Sequence, residues 1–261
     1  MSAVVIDGGL IHYEAFGRGK AVVFIHGWLG SWRYWMRTME ALAPEYRTYA
    51  LDLWGFGDSD KSRERYSVSD FTTLLYSFMD QMGIVNASLV GHSLGAIVAL
   101  RFAALQQSLI ARLAVVSLPV TPRAVSSRLP DSASSSVLDK VFGRRQIAHK
   151  EVQQEAEKTA PKAIALSMQS ALEIDVAAMV VQMRQPTLIV YGEKDHVIDP
   201  EPMRTLNEWR PSLRPIGLSE SAHFPMLEEA NKFNRLLKDF LEAGDDLSGL
   251  ALKEEWKRRT R

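Results

Sequence analysis

Continuous apolar runs and amphipathic runs alternate along most of the chain. Ala21-Val22-Val23-Phe24-Ile25 is apolar throughout, the pattern of a strand covered on both faces. Residues 47–53, 87–90, 113–118, 187–192 and 213–218 also read as strands. Helical spacing falls between them. It covers residues 32–43, stopped near Pro44, then 94–107, the stretch near 200–209 and about 226–242. Over 67–82, Phe71, Leu74, Leu75, Phe78, Met79 and Met82 recur at helical spacing, with Ser67 or Ser69 placed to cap. At the start, Val4-Val5-Ile6, a turn at Asp7-Gly8-Gly9 and a partly alternating arm over 10–16 predict a β-hairpin. This order predicts an α/β fold: a mostly parallel eight-stranded sheet with helices on both faces.

The alternation breaks after Pro119. Residues 121–185 are Ser-rich at 126–136, charged at 144–158 and mainly helix-forming. They predict about three short helices forming a cap over the sheet, inserted after strand 6. The expected organisation is a core of residues 1–120 and 186–243, a helical cap over 121–185 and a tail over 244–261. In the tail, Leu247, Leu250, Leu252 and Trp256 suggest a short helix, and Lys257-Arg258-Arg259 is basic. The tail reads as a surface appendage or contact element.

Composition narrows the function classes. The 261 residues carry 31 Lys+Arg and 31 Asp+Glu, so the formal net charge is zero. Nothing marks a nucleic-acid partner. With no Cys, thiolate catalysis, disulfides and Cys-ligated metals are excluded. No secretory signal precedes the first strand, and no apolar run reaches the roughly 18 residues of a membrane span. The expectation is a cytoplasmic protein acting on a small-molecule substrate, with oligomeric state left open.

The candidate chemistry centres on Gly91-His92-Ser93-Leu94-Gly95. It fits G-x-S-x-G at a strand-to-helix junction, the pattern of a nucleophile elbow. The turn forces Ser93 into a strained conformation and stands its hydroxyl exposed at the sheet edge, with a helix N-terminus behind it. Gly91 and Gly95 keep side chains out of the crowded space.

A serine hydroxyl needs a base, and the base needs an orienting acid. Of six His, His223 follows the last strand in Glu220-Ser221-Ala222-His223-Phe224-Pro225, where a loop can aim it back at the sheet edge. His12 lies in the hairpin, His149 in the charged cap, and His196 beside Asp195. His26 suits packing, and His92, next to Ser93, must point elsewhere. The acid is expected between Ser and His in chain order. Asp195 lies just past strand 187–192. Its rivals are Asp199, better placed as a helix cap, and Asp175 in the cap. The oxyanion needs two donors. Leu94 N–H follows the nucleophile, and Trp28 N–H lies in the loop after the early buried strand. Trp28, Leu94, Val197 and Phe224 predict an apolar mouth that favours an uncharged ester.

With these residues in view, the chain resembles the α/β-hydrolase superfamily over nearly its whole length. The matching positions are His26-Gly27, Asp52-x-x-Gly55-x-Gly57-x-Ser59, Gly91-His92-Ser93-Leu94-Gly95, Gly192-x-x-Asp195 and His223. The resemblance implies Ser93 as nucleophile, Asp195 as acid and His223 as base, with Trp28 and Leu94 amides as the oxyanion hole. It implies no metal or organic cofactor, and gives Asp52 to Ser59 a structural role. Ser93 stands where related dehalogenases and epoxide hydrolases carry Asp, which argues against both. The expected function is hydrolysis of small carboxylic esters. Two alternatives stay open: a C–C bond (β-diketone) or aminopeptidase-type hydrolase with the same triad, and a binding or receptor protein on this scaffold.

Overall fold

A computed structural model describes residues 2–121, 150–208 and 210–253. Eight strands form one sheet: β1 (Ser2–Ile6), β2 (Gly9–Phe16), β3 (Lys20–Ile25), β4 (Tyr46–Leu51), β5 (Ala87–His92), β6 (Ile110–Val116), β7 (Thr187–Gly192) and β8 (Leu213–Leu218). Their spatial order is β1-β2-β4-β3-β5-β6-β7-β8. The β1–β2 and β2–β4 pairs are antiparallel and the rest are parallel. A two-residue turn at Asp7 (φ 47°) and Gly8 (φ 76°) joins β1 to β2, the backbone that matches the twist of a hairpin.

The apolar strands serve two cores at once. Val23 and Ile25 of β3, Leu89 of β5, Leu113 and Val115 of β6 and Ile189 of β7 enter one apolar cluster. Their alternate neighbours Val22, Phe24, Val90, Ala114, Val116, Leu188 and Val190 enter the other. Side chains alternate across a strand, so a run buried on both faces must be apolar at every position.

The first cluster is covered by α2 (Val68–Gln81) and α3 (Leu94–Leu105). Ser67 caps α2 through a reciprocal bond set with Asp70, which selects Ser67 over Ser69. The second cluster is covered by α1 (Met36–Leu42), entered through a 3-10 turn at Trp32–Trp35.

Between β6 and β7 lie α4 (Lys150–Lys158), α5 (Pro161–Leu172) and α6 (Val176–Gln182). Met168, Ala171, Val176 and Val180 pack into the α2/α3 cluster, while Val152 joins the other. The short α7 (Glu201–Arg204) precedes β8. The expected helix at 226–242 is interrupted at Glu229, giving α8 (Pro225–Glu228) and α9 (Ala230–Glu242); α9 buries Phe233, Leu236, Leu237 and Phe240 beside α1.

The described part of the tail differs from expectation. Residues 244–253 form no helix. Leu247 and Leu250 are buried in the α1/α9 cluster, Leu247 N–H donates to Pro211 C=O at 2.7 Å, and Arg214 Nε donates to Leu250 C=O at 2.8 Å. Leu250 N–H donates to Leu247 C=O at 2.9 Å, so apolar contacts dock a turn, not a helix, where a surface appendage or contact element was expected. Trp256 and Lys257-Arg258-Arg259 lie outside the described residues.

Strand order reverses at β3, which sits between β4 and β5. In open parallel sheets the crevice beyond the strand ends at such a switch point is where ligands bind. The loops after β3 and β5 meet there.

Candidate active site

Ser93 joins β5 directly to α3 with φ 51° and ψ −113°. A non-glycine residue there is strained by about 1–3 kcal/mol and must be held by its surroundings. Ser93 N–H donates to Val116 C=O at 2.9 Å, and its own C=O accepts from Ala96 N–H at 3.0 Å. A Cβ on Gly91 would stand 2.3 Å from Gly95 C=O, and one on Gly95 would stand 2.4 Å from Ile25 C=O. The elbow thus closes only with glycine at both positions. Ser93 is 1% exposed, a correction to the expected exposed hydroxyl. The loop after β3 covers it: a Cβ on Gly27 would stand 2.9 Å from Ser93 Cβ. Ser93 Oγ is buried with no hydrogen-bond partner among the described residues. Leu94 is the first residue of α3, so its N–H has no intrahelical acceptor.

Asp195 and His223 meet, 28 residues apart in sequence. His223 Nδ1 lies 2.9 Å from Asp195 Oδ2. The other oxygen, Oδ1, accepts from Val197 N–H at 2.8 Å and Ile198 N–H at 3.0 Å. The carboxylate is therefore fixed in rotation, with one oxygen reserved for the imidazole. Gly192 brings the two loops together. A Cβ there would stand 1.9 Å from Ala222 C=O, a space no other residue fits. Ser221 Oγ and Glu220 N–H both donate to Glu229 Oε2, at 2.9 and 3.0 Å, bracing the loop that carries His223.

The rival residues have local tasks. Asp199 Oδ1 accepts from Glu201 N–H at 3.0 Å. Asp175 caps α6 through Ala178 N–H at 2.9 Å. His196 is exposed, His12 sits on β2, and His149 lies outside the described residues.

His26 sets the loop after β3. Leu53 N–H can only donate, so the His26 Nε2 it reaches at 2.9 Å is an acceptor. The ring proton is then on Nδ1, which donates to Gly27 C=O at 2.8 Å. Burial holds this imidazole neutral, with its pKa pushed down to about 4. Gly30 N–H also donates to Gly27 C=O at 3.2 Å, closing a turn with Leu29 at φ 60°. In a trans peptide the C=O and the following N–H point to opposite sides. Holding Gly27 C=O toward His26 therefore aims Trp28 N–H the other way.

The predicted lining residues fall in different packing environments. Trp28, with Ile97, Pro119, Ala171, Leu172 and Val176, borders an apolar cleft between α3 and the helices after β6. Its indole Nε1–H donates to Ser167 Oγ on α5 at 2.8 Å. Leu94 is fully buried and Val197 is 6% exposed, both in the same apolar cluster. Phe224 belongs to the opposite cluster, with its ring 5.0 Å from that of His92 and 6.0 Å from that of Tyr34. It packs against the residue that precedes Ser93.

The turn after β4 is filled by its own polar groups. Asp52 Oδ1 accepts from Trp32 N–H at 2.7 Å and Oδ2 from Asp58 N–H at 2.9 Å. Ser59 Oγ donates to Asp52 C=O at 2.7 Å and accepts from His12 N–H at 3.0 Å. Burial pushes the Asp52 carboxyl up to about 7. His12, Asp52 and Asp58 have possible ligand atoms within 4.8 Å of one another. Asp58, however, already pairs with Arg33 at 2.8 Å and Lys158 at 3.3 Å, so the protein supplies its own cations there.

Three participants escaped the sequence reading: Tyr34 and His92, which touch the loops around Ser93, and Ser167, which touches Trp28. No spacing rule links residues so far apart. Their polar character at buried positions was the only available signal.

The comparisons agree with this architecture. The alpha/beta hydrolase fold family matches residues 20–139. The acetyltransferase component (dihydrolipoyllysine-residue) of the acetoin cleaving system of Pseudomonas putida is 26% identical over 256 residues, covering 90% of this chain and 68% of that protein. The pimeloyl-[acyl-carrier protein] methyl ester esterase of Vibrio campbellii is 22% identical over 255 residues, covering 88% of this chain and 98% of that one. Among solved structures, the enol-lactonase from Burkholderia xenovorans LB400 superposes with a TM-score of 0.82 at 20% identity, over 93% of this chain and all of that one. Among the described residues, no single helix is long and apolar enough to cross a membrane.

Proposed function

The chain belongs to the α/β-hydrolase superfamily, and on that premise we propose that it is a serine hydrolase cleaving small, largely apolar carboxylic esters through an acyl-enzyme. What carries the reading is a strained, buried Ser93 whose hydroxyl has no partner among the described residues, together with an Asp195–His223 pair joined at 2.9 Å whose imidazole lies 4.7 Å from the ring of His92, the residue before Ser93. Esterases and a lactonase among the similar proteins support ester chemistry.

In this reading, His223 Nδ1–H is committed to Asp195, so the neutral ring carries its lone pair on Nε2. That nitrogen takes the Ser93 proton as Oγ attacks the ester carbonyl. Trp28 and Leu94 N–H stabilise the oxyanion, each worth about 2.7–4 kcal/mol if removed. Asp195 holds the imidazole and offsets its positive charge. His223 then protonates the leaving alcohol, and water releases the acid through a second tetrahedral intermediate. The helices of 150–182 act as the cap of segment 121–185, and Trp28, Leu94, Val197 and Phe224 meet the uncharged part of the ester.

The test is a side-by-side screen of short-chain p-nitrophenyl esters, β-diketones and aminoacyl amides. Ester turnover that Ser93→Ala lowers by about 10⁴-fold or more is the expected result. Preferential cleavage of a β-diketone or an amide would replace the ester reading.

A further inference from the structure

We propose that Tyr34 and His92 form a hydrogen-bonded strut that positions the loop after β3 and the His223 loop against the elbow, making both of them positioning residues for the reaction at Ser93. The inference rests on the serine-hydrolase reading above.

The strut runs in one direction. Gly27 N–H donates to Tyr34 Oη at 2.5 Å. Tyr34 O–H lies 3.1 Å from His92 Nδ1. His92 Nε2 lies 2.8 Å from His223 C=O. Both ends are backbone groups with a single option each: an amide N–H only donates, and a carbonyl only accepts. The protons between them are therefore assigned. Tyr34 accepts from Gly27 and gives its own proton to Nδ1, and the ring proton of His92 sits on Nε2. Ser117 Oγ adds a second donor to His223 C=O at 3.1 Å. Tyr34 is 2% exposed and His92 1%, and Phe224 packs on both rings.

Glycine explains why the strut is needed. Position 27 must lack a Cβ because Ser93 Cβ would be 2.9 Å from it. Glycine is also the residue with the most backbone freedom. The structure restores rigidity by holding both peptides that flank its Cα. The preceding peptide is held through Gly27 N–H on Tyr34, the following one through Gly27 C=O on His26. The second of these carries Trp28 N–H. At its other end, His92 holds the backbone of the residue whose side chain is the base. One buried chain thus sets the relative placement of the oxyanion donor, the nucleophile and the base, where errors near half an ångström matter.

Two rates test this: kcat and KM for a short p-nitrophenyl ester, and the rate of Ser93 phosphonylation by a fluorophosphonate, read by mass spectrometry. Tyr34→Phe deletes one oxygen. It is expected to lower kcat and the labelling rate by about 10- to 100-fold with KM changed by less than about threefold, and without loss of the cooperative thermal transition. His92→Leu should lower both rates at least as much. His92→Gln, which keeps a donor near the Nε2 position, should recover most of the loss. A folded Tyr34→Phe protein with both rates within about twofold of the unaltered enzyme overturns the strut, and so does a loss confined to KM. If His92→Leu does not fold, Tyr34→Phe decides alone. The labelling rate separates the two readings. Ser93 labelling without ester turnover rejects the ester substrate while still scoring the strut, and no labelling of the unaltered protein rejects both.

Discussion

On one side of the loop after β3 lies the turn from Asp52 to Ser59, and on the other lies Ser93. Both are buried and polar, and both depend on glycine. Gly57, at φ 51°, would place a Cβ 2.2 Å from the Asp52 carboxylate, much as Gly91 and Gly95 clear the elbow. The difference is in how their polar groups are satisfied. Both Asp52 oxygens accept backbone N–H groups, Ser59 bridges two backbone groups, and Asp58 is paired with two cations. Among the described residues Ser93 Oγ is buried with no such partner, on a backbone held at positive φ. Buried polar groups are ordinarily hydrogen-bonded, and exceptions ask for an explanation. One turn spends its polarity on holding the scaffold. The other keeps its hydroxyl free of structural bonds, so that it can be given to the base a serine nucleophile needs.

The sharpest way to break this comparison is to exchange stability for activity at the two places. Ser93→Ala should remove ester turnover by about 10⁴-fold or more while leaving the melting temperature unchanged or raised, because it deletes a buried hydroxyl without a partner. A clear drop in melting temperature would mean that the hydroxyl is structural.

Asp52→Ala should do the reverse. It strands two buried N–H groups and is expected to cost about 2–4 kcal/mol in urea unfolding. The labelling rate of Ser93 per folded molecule should fall much less than in Ser93→Ala. Equal losses at the two positions would erase the distinction.

Acidity sharpens the same contrast. Burial lowers His26 from 6.5 to about 4 and lowers His92 well below 6.5, while it raises Asp52 from 3.8 to about 7. Below pH 6.5 the unfolded chain binds protons at both histidines that the folded chain refuses, so stability falls on acidification toward 4. Asp52 runs the other way, since its stabilisation is complete below 3.8 and lost as pH rises through about 7. Of these three groups, two protons against one contribute a slope of about 1.4 kcal/mol per pH unit just below 6.5. Urea midpoints should peak near pH 6.5 and drop on the acid side. A flat acid limb would contradict buried, neutral imidazoles at His26 and His92.

Arg33→Gln is the mildest change. Arg33 reaches Asp58 at 2.8 Å and Glu155 on α4 at 3.4 Å, but its side chain is 28% exposed. A loss of at most about 1 kcal/mol is expected, measured in the same unfolding assay. A larger loss would make the link between α4 and the Asp52 turn a structural clasp.

What the sequence determined is local or topological. Continuous apolar runs mark strands buried on both faces, as Val22, Val23, Phe24 and Ile25 show. Asp7-Gly8 announces a hairpin turn, Ser67 a helix start, and Gly91-His92-Ser93-Leu94-Gly95 an elbow. These features depend on backbone sterics and on neighbours within a few residues. The order Ser93, Asp195, His223 was legible because the elbow fixes a chain order, and Gly192 marked where Asp195 leaves its strand.

The tertiary structure alone decided which face each residue served and which polar groups met. Periodicity separates two faces without naming what covers them, so nothing around Phe224 announces that its ring packs on His92 and Tyr34. Leu247 and Leu250 suggested a helix, yet they stand at the two ends of a turn and bury against the α1/α9 cluster. The bonds from Gly27 through Tyr34 and His92 to His223 join residues up to 196 positions apart in the chain. No local preference encodes such a meeting, because hydrogen bonds of this kind form only after separate loops have been brought to one rim of the sheet.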